Sequence, residues 1–115
     1  MDRIYEQTML FDFYGELLTQ HQRSVYEDAL YHDMSLGEIA EELGISRQGV
    51  HDLIRRCDRL LQEYENKLHL VERFAEAKEV IGQIERLTDK EGGEMEIEER
   101  LQAIRRLSLG LLEEL

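Results

Sequence analysis

Arg47, Gln48, His51, Arg55 and Arg59 follow Ser46 at spacings of one, three or four residues, with Asp52 among them and Arg56 beside them. At helical spacing these side chains share the solvent face of one helix. Guanidinium and amide groups of this kind hydrogen-bond base edges or phosphate oxygens. A helix that starts at Ser46 adds the partial positive charge of its N-terminus, which favours phosphate. From Ser46 to Leu61 four arginines stand against two aspartates, a local charge of +2 in a chain of net charge −12. The chemistry open to this face is recognition of nucleic acid. The same residues also suit a plain solvated face carrying intrahelical pairs such as Asp52–Arg56.

Other reactive side chains suggest less. Cys57 lies on the apolar seam after Val50 and Leu53, the setting of a buried, inert thiol. His69 has Glu65 four residues before it and Glu72 three after, a spacing open to a metal ion; a surface ion-pair cluster accounts for it better. His21 and His32 have no convincing partner set. The sequence has no glycine-rich phosphate loop, no Ser/His/Asp spacing and no His-Glu metal motif. A protein without enzymatic activity, cofactor or metal is expected.

The basic residues need a frame, and the segment from Ser35 to residue 55 supplies one in the form of a helix-turn-helix. Ser35 caps a short helix over Leu36–Leu43, and Glu38 stands at capping-box distance. Ala40 is small where two helices cross closely. Gly44 makes the tight turn with positive φ. Ser46 caps the second helix, and Ile39, Leu43, Ile45, Val50 and Leu53 form the apolar wedge between the two.

Before this unit, a first helix over about residues 2–18 carries Leu10, Phe13, Tyr14 and Leu17 on one stripe and Met9, Phe11 and Leu18 on a second. A helix apolar on two sides lies between neighbours. Thr19 caps a helix over about residues 20–31 with Val25, Tyr26, Ala29 and Leu30 inward. After Ser46 the apolar spacing alternates three and four as far as Leu87. It describes one helix of about 42 residues, roughly 63 Å long, or two nearly collinear ones with a break near Glu65–Asn66. Thr88 to Gly93 is a loop by composition, and a last helix over about residues 94–114 carries Ile97, Leu101, Ile104, Ser108, Leu111 and Leu115 on one stripe. The domain plan is a helix-turn-helix domain at 1–61, with its central unit at 35–55, and a helical extension at 62–115 for dimerisation or partner binding.

Composition sets the outer bounds. With no proline in 115 residues and 35% charged residues, the chain is expected to be all-α and not membrane-inserted. One cysteine and no secretory leader pattern at the N-terminus point to the cytoplasm. Outside the arginine-rich helix the charge is uniformly negative. Residues 1–34 carry two basic against seven acidic groups, and residues 62–89 and 90–115 each carry four against seven. Nucleic acid is repelled by such a background and must be met through one narrow face. The apolar seam beyond Leu60 is longer than the final helix can cover, so a homodimer is expected, with a different protein partner as the competing account.

Leu10-Phe11-Asp12-Phe13-Tyr14, the Leu17-Leu18-Thr19-x-x-Gln22 cap region, and Ser35-Leu36-Gly37-Glu38-Ile39-Ala40-Glu41-Glu42 followed by Ser46-Arg47-Gln48-Gly49-Val50 together resemble the YlxM family. These are small bacterial helix-turn-helix proteins associated with the signal recognition particle. The resemblance covers about residues 8–88. It implies a fold like the fourth region of sigma factors, of the winged-helix-like DNA-binding type, with Ser46-Arg47 opening the recognition helix. It also implies a regulatory part in the signal-recognition-particle pathway, through the particle's GTPase, its receptor or its RNA. Gly49 stands where sigma-like recognition helices often carry a more basic residue. The expected function is a non-enzymatic regulator that contacts DNA or the particle's RNA through Ser46, Arg47, Gln48, His51, Arg55 and Arg59. The alternatives are a sequence-specific transcription regulator, and a docking module for the GTPase that touches no nucleic acid.

Overall fold

In the computed structural model, which describes residues 2–89 and 95–115, the chain forms six α-helices. They are α1 (Arg3–Tyr14), α2 (Gln20–Leu30), α3 (Leu36–Leu43), α4 (Arg47–Leu68), α5 (Leu70–Thr88) and α6 (Ile97–Glu114), with one 3₁₀ turn at Gly15–Leu17. No strand occurs among the described residues, and α3 and α4 form a helix-turn-helix within an all-α fold. The chain divides into two compact units, one running to Val71 and one from Glu72 onward.

Local chemistry sets the helix starts in the first unit. Asp2 Oδ1 accepts from the Ile4 N–H at 3.0 Å. Thr19 Oγ accepts from the Gln22 N–H, and the Gln22 side chain returns a bond to the Thr19 N–H, a complete capping box. At Ser35 only half of that arrangement forms. Its Oγ accepts from the Glu38 N–H, but Glu38 Oε1 takes the Ser35 hydroxyl rather than the backbone N–H. Ser46 Oγ accepts from the Gly49 N–H at 3.0 Å and opens α4.

Gly44 ends α3 at φ 70° and sends its N–H back to Ala40 O. A Cβ built on Gly44 meets nothing within 4 Å, so the whole cost of a side chain there is backbone strain. Gly44→Ala should therefore lower stability by about 1–2 kcal/mol, measured by urea unfolding, with no change in core packing.

The core forms in two parts that meet at Ile54. Phe11, Tyr14, Leu18, Tyr26, Cys57 and Leu61 make one, joining α1 and α2 to the middle of α4. Val25, Ile39, Ala40 and Val50 make the other, joining α2 and α3 to the start of α4. The apolar wedge thus differs from the one expected. Leu43 and Ile45 stay exposed at the rim, at 37% and 43%, because α3 stops at Leu43 and the left-handed turn carries the chain away. Val25 of α2 takes their place. In α1 and the turn after it Phe11, Tyr14 and Leu18 are buried and Leu10 packs against them, while Phe13 and Leu17 are exposed, so the stripe expected to hold Leu10, Phe13, Tyr14 and Leu17 is split between core and surface.

The expected break near Glu65–Asn66 falls three residues later, at His69, which adopts φ 56° and ends α4 with its N–H on Glu65 O. Side chains, not a glycine or proline, receive the first turn of α5. The Leu70 N–H donates to Tyr14 Oη at 3.0 Å and the Val71 N–H to Glu65 Oε1 at 3.0 Å. The Tyr14 hydroxyl itself donates to Glu65 Oε1 at 2.5 Å. Tyr14 is 1% exposed and stacks obliquely beside Tyr64. A helix boundary is here decided by a residue about fifty positions away.

In the second unit α5 turns Ala77, Val80, Ile84 and Leu87 inward, and α6 turns Ala103, Ile104, Leu107 and Leu111 inward. The Arg100 guanidinium donates to Asp89 O at 2.8 Å and Met95 O at 3.1 Å, which ties the start of α6 to the end of α5. The inward face of α6 is rotated from the expected stripe, so that Ile97 and Leu101 are 76% and 61% exposed. The expected Gly92–Gly93 breaker lies outside the described residues. No helix among the described residues is long and apolar enough to cross a membrane.

Burial of Cys57 pushes its thiol up to about 11 from the ordinary 9.0, with the neighbouring Asp58 charge adding to the shift. Tyr26 and Tyr14 are also raised, first by desolvation and then by their bonds to Asp58 and Glu65. The unfolded thiol therefore ionises first as pH rises, the folded state holds more protons, and stability falls with pH across that window. The urea midpoint should drop steadily from pH 9 to pH 11. Cys57→Ala should flatten part of that drop.

Candidate nucleic-acid interface

Around α4, Val50, Cys57 and Leu61 are fully buried. At 3.6 residues per turn, Gln48, Asp52, Arg55 and Arg59 fall within an arc of about 60° on the opposite side. Arg47, Gln48, His51, Asp52, Arg55, Arg56 and Arg59 are all exposed. Asp52, Arg55, Arg56 and Arg59 line one shallow polar hollow. The helix thus gathers its arginines around its third and fourth turns.

The first turn is occupied differently. The Ser46 hydroxyl oxygen serves as the cap, accepting from Gly49, which leaves its hydrogen free to donate. Gln48 Nε2 donates to Asp52 Oδ1 at 3.0 Å, and His51 Nδ1 lies 4.0 Å from the same oxygen. Asp52 is engaged by Gln48 here rather than by Arg56.

Arg47 sits nearer the buried side and lays its guanidinium along α3. A Cβ on Gly37 would come within 3.1 Å of Arg47 Nε and Nη2. Only glycine lets the arginine lie this close. Of the six candidate residues, the structure groups Gln48, Arg55 and Arg59 centrally, puts Ser46 and His51 at the edge, and places Arg47 against α3. Arg56, read from the sequence only as a flank, belongs with the central group.

The direction in which Asp58 points adds to the positive character of this surface. Read along the sequence, Asp58 sits among three arginines and weakens them. In the fold its carboxylate turns the other way. Gln7 Nε2 donates to both Oδ atoms at 3.0 and 3.3 Å, the Tyr26 hydroxyl donates to Oδ1 at 2.5 Å, and Arg3 approaches Oδ2 at 3.7 Å. One negative charge is thereby drawn behind the helix, and the exposed face is more positive than the count of residues. Asp58's flanking place on the helical wheel was the only signal in the sequence; its partners lie 51 and 32 positions away.

Glu65 and His69 take part in the junction between α4 and α5. Among the described residues no three His, Cys, Asp or Glu side chains form a metal-holding group.

Residues 1–104 match the family described as "UPF0122: Putative helix-turn-helix protein, YlxM / p13 like". The chain belongs to this family. A UPF0122 protein of Halalkalibacterium halodurans is 39% identical over 104 residues, covering 90% of this chain and 95% of its own length. UPF0122 proteins of Bacillus thuringiensis and Bacillus mycoides are each 40% identical over 108 residues, covering 93% of this chain and 98% of their own. The relatives are bacterial, and the UPF0122 match confirms the YlxM resemblance across the helix-turn-helix and into α6. A helix-turn-helix is a non-catalytic kind of fold, built to present one helix to a partner.

Proposed function

We propose that this UPF0122 member is a non-enzymatic regulatory protein that contacts nucleic acid through α4, within the signal-recognition-particle pathway of the cytoplasm. The observation that carries the reading is the separation of charge around α4. Arg55, Arg56 and Arg59 face solvent while Asp58 is held behind them by Gln7, Tyr26 and Arg3. Gln48, His51 and Arg47 complete the contact, and the start of α4 at Ser46 offers its dipole to a phosphate. The pathway assignment rests on the YlxM resemblance.

The acidity of the rest of the chain makes this contact narrow and sensitive to salt. A titration of the protein with the particle's RNA and with random duplex DNA, each across a salt series, tests it. Measurable binding that weakens log-linearly with salt is expected; no binding to either at 50 mM salt would sink the reading. A homodimer, supported by the exposed Ile97, Leu101 and Leu112, would present two such faces. Sedimentation equilibrium that finds only a 13.6 kDa species at micromolar concentration would remove that part.

One observation favours a second reading. On α3, beside α4, Glu38, Glu41 and Glu42 are all exposed. A phosphate backbone approaching a helix-turn-helix passes its first helix, and these carboxylates oppose it. Docking of the particle's GTPase through acidic surface makes better use of them. Pull-down of the GTPase that survives charge reversal on α4 and is lost in high salt would favour docking over nucleic-acid contact.

A further inference from the structure

The break between α4 and α5 is made without a glycine or a proline. From Val50 to Ile81 there is neither glycine nor proline, and the apolar seam keeps its three–four spacing through residue 69. His69 is nonetheless left-handed, at φ 56°. L side chains disfavour that conformation, and an unbroken helix would relieve it.

Two side chains hold the broken form. Tyr14 Oη accepts the Leu70 N–H, Glu65 Oε1 accepts the Val71 N–H, and the Tyr14 hydroxyl donates to Glu65. In a continuous helix Leu70 N–H would pair with Asn66 O and Val71 N–H with Lys67 O. Loss of either side-chain acceptor therefore orphans an N–H in the broken form alone. All these atoms lie in the first compact unit, whose boundary falls directly after them at Val71.

We propose that Tyr14 and Glu65 are a latch on a two-state helix. Latched, α4 and α5 are separate; unlatched, Arg47–Thr88 runs as one helix of about 42 residues. Glu65 stands six residues, about 9 Å along the axis, from Arg59. A partner that binds beyond His69 and prefers one state shifts the balance between the two.

The test is the backbone conformation of residue 69 in the full chain, read from its Cα chemical shift, with the exchange protection of Leu70 and Val71 as the second readout. The wild type should show a non-helical residue 69 between helical neighbours. Tyr14→Phe, which keeps the ring packing, should move residue 69 to helical values in most molecules while Leu70 and Val71 remain protected. His69→Gly added to that variant should restore the break. The proposal is overturned if residue 69 stays left-handed in Tyr14→Phe, or if Leu70 and Val71 lose protection without residue 69 becoming helical. Should Tyr14→Phe not fold, His69→Ala decides alone, since it leaves every latch atom in place. It must shift residue 69 towards helix, and an unchanged break there also overturns the proposal.

Discussion

Arg55→Glu with Arg59→Glu is expected to reduce nucleic-acid affinity by about 100-fold or more and to lower the slope of log affinity against log salt by roughly two. Both side chains are exposed and lie within one turn of each other opposite the buried seam. Neither is engaged in the core, so the melting temperature should hold within the small range usual for surface changes. The reversal moves the face from three central arginines to one arginine beside three acids, counting Asp52. A gel shift across a salt series measures it. Unchanged binding by the folded double variant would remove α4 from the interface. Asp58→Asn supplies a contrast, because its carboxylate already points away. It should leave the salt slope nearly intact and instead cost stability through the lost partners of Gln7 and Tyr26.

The largest stability effect is expected from Leu61→Ala, at about 2–5 kcal/mol. Leu61 is 0% exposed and packs with Phe11, Tyr14, Leu18, Tyr26 and Cys57. These residues come from α1, α2, α4 and the turn between the first two, so the cavity opens where three helices depend on one another. A domain of this size is stable by only about 5–15 kcal/mol, and the loss is a large share of that. Its midpoint should fall by at least about 10 °C, since each kcal/mol is worth roughly 4–8 °C in a small domain. Leu115→Ala, at 99% exposure in the monomer, should change almost nothing. Thermal melts followed by circular dichroism separate the two. Equal effects would mean that the core has been placed in the wrong part of the chain.

The candidate site was legible where its logic is local. The Ser46 cap, the Gly44 turn and the spacing of Arg55 and Arg59 depend on residues within about two turns of one another, and the structure has each as expected. The unexpected parts all depend on distant partners. Arg47 lies on Gly37 of another helix, and Asp58 is turned by Gln7, Tyr26 and Arg3. Leu43 and Ile45 match the apolar pattern of the wedge yet remain exposed, because α3 stops there and the left-handed turn carries the chain away, while Val25 of α2 joins the cluster instead. Pattern identifies which residues prefer burial; it cannot decide which of several candidates reaches the core first.

By itself the sequence determined the all-α class, the helix-turn-helix, the identity of its caps and the gathering of arginines along α4 in an acidic chain. Those properties follow from helical periodicity, from the φ restriction that Gly44 escapes, and from the placement of charge along a single helix. Only the tertiary structure decided which way Asp58 points and where α4 ends. The seam from Val50 to Leu87 would support one uninterrupted helix. Tyr14, brought to Glu65 by the packing of α1 on α4, supplies the acceptor that lets the chain break at His69. A hydrogen bond formed across fifty residues carries no periodic signal, and its outcome depends on folding having already placed its partners.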